Sequence, residues 1–286
     1  MKNERQNQLN GSPTVSGIWK TYRAKISGTF GLLAAEHLHY VAMPFVLGVA
    51  INDLVEGEYR GIWWLIGLSL TALSVGVIRR LYDTRVYAGI YTDVADQTAQ
   101  KTHRSVSQRA ARMQLARELV DFFEWELPQL LASLIGITGA FVMLIILLPT
   151  IGAISIAVGV VIFLVFFVSR RRMFSLNKLL NNELERQVQM LESGREFARR
   201  KHLGRLARWR IHLSDLEATN FAIADFLLAA LIIGALMITV KTGMRVGDVF
   251  AILTYLLDLS ESLIVLPWTY QQSIRAREIG GRIAST

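Results

Sequence analysis

Apolar and charge-rich stretches alternate along this chain at a spacing too long for an ordinary soluble domain. Two stretches, 79–127 and 169–219, are each about 50 residues long and mix charged residues with apolar ones at helical spacing. The remaining segments are almost free of charge. They cover approximately 27–51, 61–78, 128–148, 151–168, 220–240 and 247–268.

The apolar segments are long enough to cross a bilayer, which takes about 20 residues of helix. The run from Leu127 to Val168 is too long for one crossing, and Pro149-Thr150 marks a tight turn that divides it into two. Charged residues make up only 19% of the chain, against about 25% in soluble domains. The pattern therefore predicts an all-α polytopic membrane protein with six transmembrane helices.

The two charge-rich stretches are predicted to be long helical hairpins that extend the membrane helices. Each is long enough for two helices of about 24 residues, which must pack on each other because polar helices are marginal in water. We expect the chain to reverse near Lys101–Ser107, where Ser105 and Ser107 are possible N-caps, and near Gly194–Gly204. Such hairpins are either a solvated stalk or a lever that conveys cytoplasmic events to the membrane.

The distribution of positive charge predicts the orientation. All but three of the 31 Lys and Arg residues fall on one side of a six-span topology, the exceptions being Arg60, Lys241 and Arg245. The positive-inside rule then places both termini and both hairpins in the cytoplasm. Acidic residues are interleaved with the basic ones, which argues against a nucleic-acid partner. The chain has no cysteine, so disulfides and thiolate metal sites are excluded.

This organisation resembles the transmembrane domain of an ABC exporter, from about residue 15 to the end. Pro44, Gly48 and Asp53 match the end of that family's first span. Gly247, Ala276 and Arg282-Ile283 match the start of its last span and the segment that follows it. The resemblance implies a homodimer around a central cavity in a bacterial inner membrane. It also implies hairpins that dock on ATPase domains.

The chain departs from the family pattern after Arg282-Ile283, where most members continue into an ATPase domain. It contains no Gly-x-x-x-x-Gly-Lys-Ser/Thr loop to hold ATP phosphates. We therefore expect no ATPase domain, no enzymatic activity and no cofactor of its own. Gly194–Leu206 is strongly basic and lacks the acidic stretch usual there, which leaves docking of a separately encoded ATPase open.

Ionisable residues at membrane depth are costly and usually face a cavity or another helix. The first span carries Glu36, His39 and Tyr40, which a helical projection puts on one face. These residues are candidates for a proton relay, because histidine titrates near neutral pH. The alternative is that they lie near the cytoplasmic interface and reach water by snorkelling.

The last span carries Asp258 and Glu261 three residues apart, with Tyr255 and Ser262 predicted on the same side. In a dimer these groups would supply four carboxylates for proton coupling or for a cationic substrate. The alternative is an interhelical contact that holds the dimer together.

Three functions remain open at this point. The first is transport of a small, amphipathic, cationic or peptide-like substrate by alternating access, driven by a proton gradient. Bacterial peptide-uptake proteins of similar fold set the precedent for it. The second is the membrane subunit of an ABC transporter with a separate ATPase. The third is a non-transporting sensor or metal-binding protein, since Glu36-x-x-His39 has the spacing of carboxylate-bridged metal sites.

Overall fold

The computed structural model describes residues 15–100, 113–114, 117–187 and 196–263, and every regular element in these ranges is helical. Five helices are long and apolar enough to cross a membrane. A sixth helix covers 246–263, so the predicted span 247–268 lies partly outside the described residues. The predicted all-α polytopic fold is confirmed. The helices are α1 (Val15–Val55), α2 (Arg60–Gln100), α3 (Arg117–Leu147), α4 (Pro149–Glu185), α5 (Glu196–Lys241) and α6 (246–263).

Four helices are much longer than the bilayer requires, and one of them is α1, with 41 residues. The other three extend an apolar part. α2 has 41 residues, α4 has 37 and α5 has 46, which correspond to lengths of about 55 to 70 Å, against about 30 Å for the hydrocarbon core. Each continues without a break from its apolar part into a charge-rich stretch. The predicted reversal at Lys101–Ser107 lies outside the described residues.

The second reversal was predicted near Gly194–Gly204, and Gly194 lies outside the described residues. α5 already begins at Glu196, so Gly204 lies inside a helix and not near a turn. Gly204 has open space around its Cα, and its neighbours on both sides are good helix formers. A single exposed glycine lowers helix stability by about 1 kcal/mol, which packing of a long helix readily offsets.

α1 begins at Val15, well before the apolar segment, and this early part forms a core with the charge-rich second half of α2. The helix bends at Tyr22, whose φ of −109° and ψ of 16° are not helical. The largest buried cluster joins the start of α1, the second half of α2 and the start of α3. Its members are Ile18, Ile26, Val86, Tyr87, Ile90, Val94, Leu119, Val120, Phe122 and Phe123.

A π-helical turn at Phe122–Glu126 lies just before Pro128 within α3. The backbone N–H of Leu127 reaches back five residues to the carbonyl of Phe122. Proline has no N–H, and its ring would clash with the carbonyl four residues earlier in a regular helix. The wider turn removes this conflict and turns Phe122 and Phe123 into the buried cluster.

The chain divides into two compact units. One comprises Met1–Leu147 and Thr239–Thr286, and the other comprises Leu148–Ile238. The first contains α1, α2, α3 and α6. The second is a helical hairpin of α4 and nearly all of α5, held by contacts that include a hydrogen bond of 2.9 Å from Ser169 Oγ to Asn220 Oδ1.

Candidate functional site

Asp258 and Glu261 of α6 lie on a side of the helix that the described part of the chain leaves uncovered. Asp258 and Glu261 are both exposed, and Leu257 beside them is 58% exposed. The opposite side of α6 carries Ile252, Leu256 and Leu259, which are fully buried. One face of α6 thus packs within its own unit, and the other presents two carboxylates outward.

Tyr255 and Ser262 do not share this exposed face. Tyr255 is only 1% exposed, and its hydroxyl donates a hydrogen bond of 2.6 Å to the carbonyl oxygen of Val41 on α1. Ser262 is half-buried, with its hydroxyl beside Gly136 on α3. The stripe predicted for α6 therefore separates into an outward acidic pair and two hydroxyls that join α6 to α1 and α3.

Glu36 on α1 is buried, at 4% exposure, and faces α2. Its carboxylate accepts a hydrogen bond from Nε of Arg79. The same guanidinium donates through Nη1 to Oδ2 of Asp83 at 2.9 Å. Arg79 is therefore shared between two carboxylates, one from each helix, and this arrangement satisfies the charge that the sequence singled out at Glu36.

The other two predicted residues of α1 point elsewhere. His39 Nδ1 donates to the carbonyl of Ala35 at 2.7 Å, and Tyr40 is 57% exposed, with its ring edge against His37. The common face predicted for Glu36, His39 and Tyr40 is thus divided among a buried ion pair, a half-buried imidazole and an exposed phenol ring. In the hydrogen bonds that the structure gives them, Glu36 is bonded to Arg79 and His39 to Ala35, not to each other.

The weaker alternative of a metal bound by Glu36 and His39 receives no support from this geometry. The Glu36 carboxylate is engaged by Arg79, and His39 is turned to its own backbone. Within the described ranges, no three His, Asp or Glu side chains lie close enough together to hold a metal ion.

The glycines and acidic residues that carry the family resemblance have a clear structural role. Gly48 on α1 lies against Gly247 on α6, so closely that a Cβ on either would press on the backbone of the other. Asn52 seals this contact, because its Oδ1 accepts the Gly247 N–H at 2.8 Å and its Nδ2 donates to Asp248 at 2.9 Å. The helices can approach this closely only because both positions lack a side chain.

Asp53, the last residue of the first motif, caps the next helix. Its Oδ2 accepts the backbone N–H of Gly61 at 2.8 Å, which satisfies an unpaired donor in the first turn of α2. Gly57 makes the turn between α1 and α2 with a φ of +80°. The second group of matching residues, Ala276, Arg282 and Ile283, lies outside the described residues.

A second buried polar cluster lies in the α4–α5 hairpin, fifteen residues beyond the apolar segment that ends at Val168. Glu183 accepts hydrogen bonds of 2.8 Å from His202 Nδ1 and from Arg205 Nε, both at Oε1. Burial would raise the pKa of Glu183, but the bonds from His202 and Arg205 outweigh it and hold that pKa below its ordinary value. The charged carboxylate therefore fastens α4 to α5.

Comparison with known protein families identifies a family with this architecture. The family model described as the ABC transporter transmembrane region matches residues 15–247. The chain belongs to this family. A comparison with curated proteins returns no match. As an ABC transporter transmembrane region, the chain is a multi-pass membrane protein with a role in membrane transport.

Sequence reasoning missed Arg79, Asp83 and the Glu183 cluster in this family member. From the sequence, Arg79 had no role beyond its place in the charge-rich stretch 79–127. The i, i+4 spacing of Arg79 and Asp83 was the available signal, but Glu36 lies 43 residues away and nothing local connects it to them. His202 and Glu183 sit in a stretch so rich in charge that no local pattern sets them apart.

Proposed function

We propose that two copies of this chain form a transporter whose central cavity is lined by the acidic face of α6. The observation that carries the proposal is the exposure of Asp258 and Glu261 within an otherwise apolar segment. Exposed carboxylates at membrane depth are too costly to face lipid, so they favour a watery cavity or a second protomer. The closed symmetry of most homo-oligomers makes a two-fold dimer the simplest arrangement.

The substrate class follows from the charge of this face. Two protomers would contribute four carboxylates, and the apolar residues around them, such as Leu257, favour an amphipathic molecule. A cationic or basic peptide-like substrate fits this combination. Alternating access by movement of helical bundles would then expose the cavity to each side of a bacterial inner membrane in turn, with both termini and both hairpins in the cytoplasm.

The energy source we propose is the proton gradient, with no ATPase activity in this chain. The sequence contains no Gly-x-x-x-x-Gly-Lys-Ser/Thr loop, and the membrane part carries several carboxylates able to exchange protons. Family membership favours a second candidate, in which a separately encoded ATPase docks on the hairpins and drives the same cycle.

Purified protein in liposomes separates these candidates. We expect accumulation of ethidium, or of a labelled basic peptide, when a pH gradient is imposed without ATP. No flux with a pH gradient, but flux after addition of a co-purified ATPase and ATP, would decide for the second candidate. No flux in either condition by folded dimeric protein would contradict transport of these cations.

The double substitution Asp258→Asn and Glu261→Gln tests the acidic face. We expect ethidium uptake to fall by about tenfold or more, because each lost carboxylate–cation contact is worth about 1 kcal/mol in a partly hydrated cavity. Glu56→Gln is the matched control, since it removes an exposed carboxylate in the turn between α1 and α2. Equal uptake by the double variant and the control would remove Asp258 and Glu261 from the transport path.

A further inference from the structure

The ion-pair network of Glu36, Arg79 and Asp83 is unbalanced. Two carboxylates share one guanidinium, and arginine stays protonated in proteins. The side chain of Glu36 is 6% exposed, that of Asp83 is 16% exposed and that of Arg79 is 20% exposed. With both acids ionised the network carries one excess negative charge in a place largely shielded from water, which is costly.

One carboxylate oxygen of Asp83 lacks a hydrogen bond. Its Oδ2 accepts from Arg79, but its Oδ1 is shielded from solvent and has no hydrogen-bond partner among the described residues. In Glu36, by contrast, the carboxylate accepts directly from Nε of Arg79. A bare charged oxygen costs more than a neutral carboxyl group in the same place, so this geometry favours a proton on Asp83.

The groups around Asp83 reinforce this imbalance. On its own helix it interacts with Arg79 and with Tyr87, whose hydroxyl is hydrogen-bonded to Thr29. From α1 it faces Glu36, and from the π-helical turn of α3 it faces Glu124. Glu36 and Asp83 thus share the guanidinium of Arg79, and Glu124 is a further carboxylate that interacts with Asp83. Asp121 interacts with Glu124 and forms an ion pair of 3.9 Å with Arg117.

We propose that Asp83 is the proton-binding site of this transporter, with Arg79 as the group that responds to it. A proton on Asp83 neutralises one of the two carboxylates and weakens its pair with Arg79, so that the guanidinium is held mainly by Glu36 of α1. When Asp83 loses this proton, the carboxylates of Glu36 and Asp83 again share Arg79. Proton occupancy is thereby linked to the contact between α1 and α2.

Infrared difference spectroscopy of the liposome-bound protein tests this directly and needs no substrate. Between about pH 8 and about pH 6 exposed carboxyl groups stay ionised, so a protonated-carboxyl band appearing in this range reports a shielded acid. We expect this band in the wild type, its loss in Asp83→Asn and its retention, shifted, in Asp83→Glu. Asp93→Asn is the matched control, because Asp93 also bonds across to α1, through Tyr22, but is exposed.

A band that persists unchanged in Asp83→Asn, or that is absent from the wild type, would overturn the assignment. The Asp83→Glu variant guards against misfolding, since it preserves a carboxyl group at the position.

A proton-binding Asp83 deepens the proposed function. The transport test of Asp83 rests on that proposed function, whereas the infrared test does not. Asp83→Asn should abolish ethidium accumulation driven by a pH gradient while leaving ethidium exchange at equal pH intact. A wild type without gradient-driven flux would refute proton-driven transport, and the infrared result would still decide for or against a proton on Asp83.

Discussion

Gly247→Ala should prevent α1 and α6 from closing and should lower the melting temperature of the protein sharply. A Cβ at this position would press on the carbonyl oxygen of Gly48 and on the side-chain amide of Asn52. The backbone of α1 cannot move aside without breaking the bonds from Asn52 to Gly247 and Asp248. Overpacking and two lost hydrogen bonds together give a destabilisation of about 3 to 5 kcal/mol.

Gly67→Ala is the matched control for this substitution. Gly67 lies inside α2, and nothing lies within 4 Å of the position that its Cβ would take. Alanine favours helix by about 1 kcal/mol over glycine, so this variant should melt at the same temperature as the wild type or slightly higher. Thermal unfolding in detergent, followed by circular dichroism, measures both. A Gly247→Ala protein as stable as Gly67→Ala would contradict the close packing of α1 on α6.

Glu183→Ala should have the second large effect, on the α4–α5 hairpin. Removing the carboxylate leaves His202, which is 2% exposed, with an unpaired N–H and leaves Arg205 without its counterion. The hairpin should lose about 3 kcal/mol, with Arg205 contributing less than a fully buried charge because it is partly exposed. Hydrogen exchange of the amides in 169–187 and 196–219 should accelerate together.

Glu185→Ala removes an equivalent charge two residues along the same helix, from an exposed position. This variant should exchange at the wild-type rate, since surface charges contribute little. If Glu183→Ala also left exchange unchanged, the cluster would not hold the two helices together.

The same cluster predicts how the hairpin responds to acid. The pKa of Glu183 is lower in the folded hairpin than in the unfolded chain, so the carboxylate contributes stability that is fully present above its unfolded pKa. This contribution is lost as the pH falls through the lower, folded value. We expect the protection of hairpin amides, measured against the intrinsic exchange rate at each pH, to decrease as the pH falls below about 4.5, and the decrease to be smaller in Glu183→Gln.

Much of the architecture follows from local sequence. Apolar runs long enough to cross a bilayer and helical periodicity beyond them predict α2, α4 and α5 as helices that continue out of the membrane. Pro149 predicts the boundary between α3 and α4, which the structure places at Leu148. The Pro44–Gly48–Asp53 motif indicates the family correctly. In the structure Gly48 allows α1 to approach α6 closely, and Asp53 caps α2.

The candidate site was harder to predict, because side-chain direction on a helix depends on what the helix packs against. Tyr255 and Asp258 are three residues apart in α6, yet one is buried against Val41 and the other is exposed. A helical projection places both on one broad side. Only the position of α1 decides that the Tyr255 hydroxyl is covered and that the Asp258 carboxyl is not.

What the sequence determined by itself is the class of the protein and two of its features, the long apolar segments and the charge-rich helical stretches that extend them. These depend on length, hydropathy and charge, which act locally along the chain and against the bilayer. The tertiary structure alone decided the partners of the buried charges, since Arg79 meets Glu36 and Glu183 meets His202 across separate helices. An ion pair depends on distances of a few ångströms between segments far apart in sequence, and no local pattern encodes those distances.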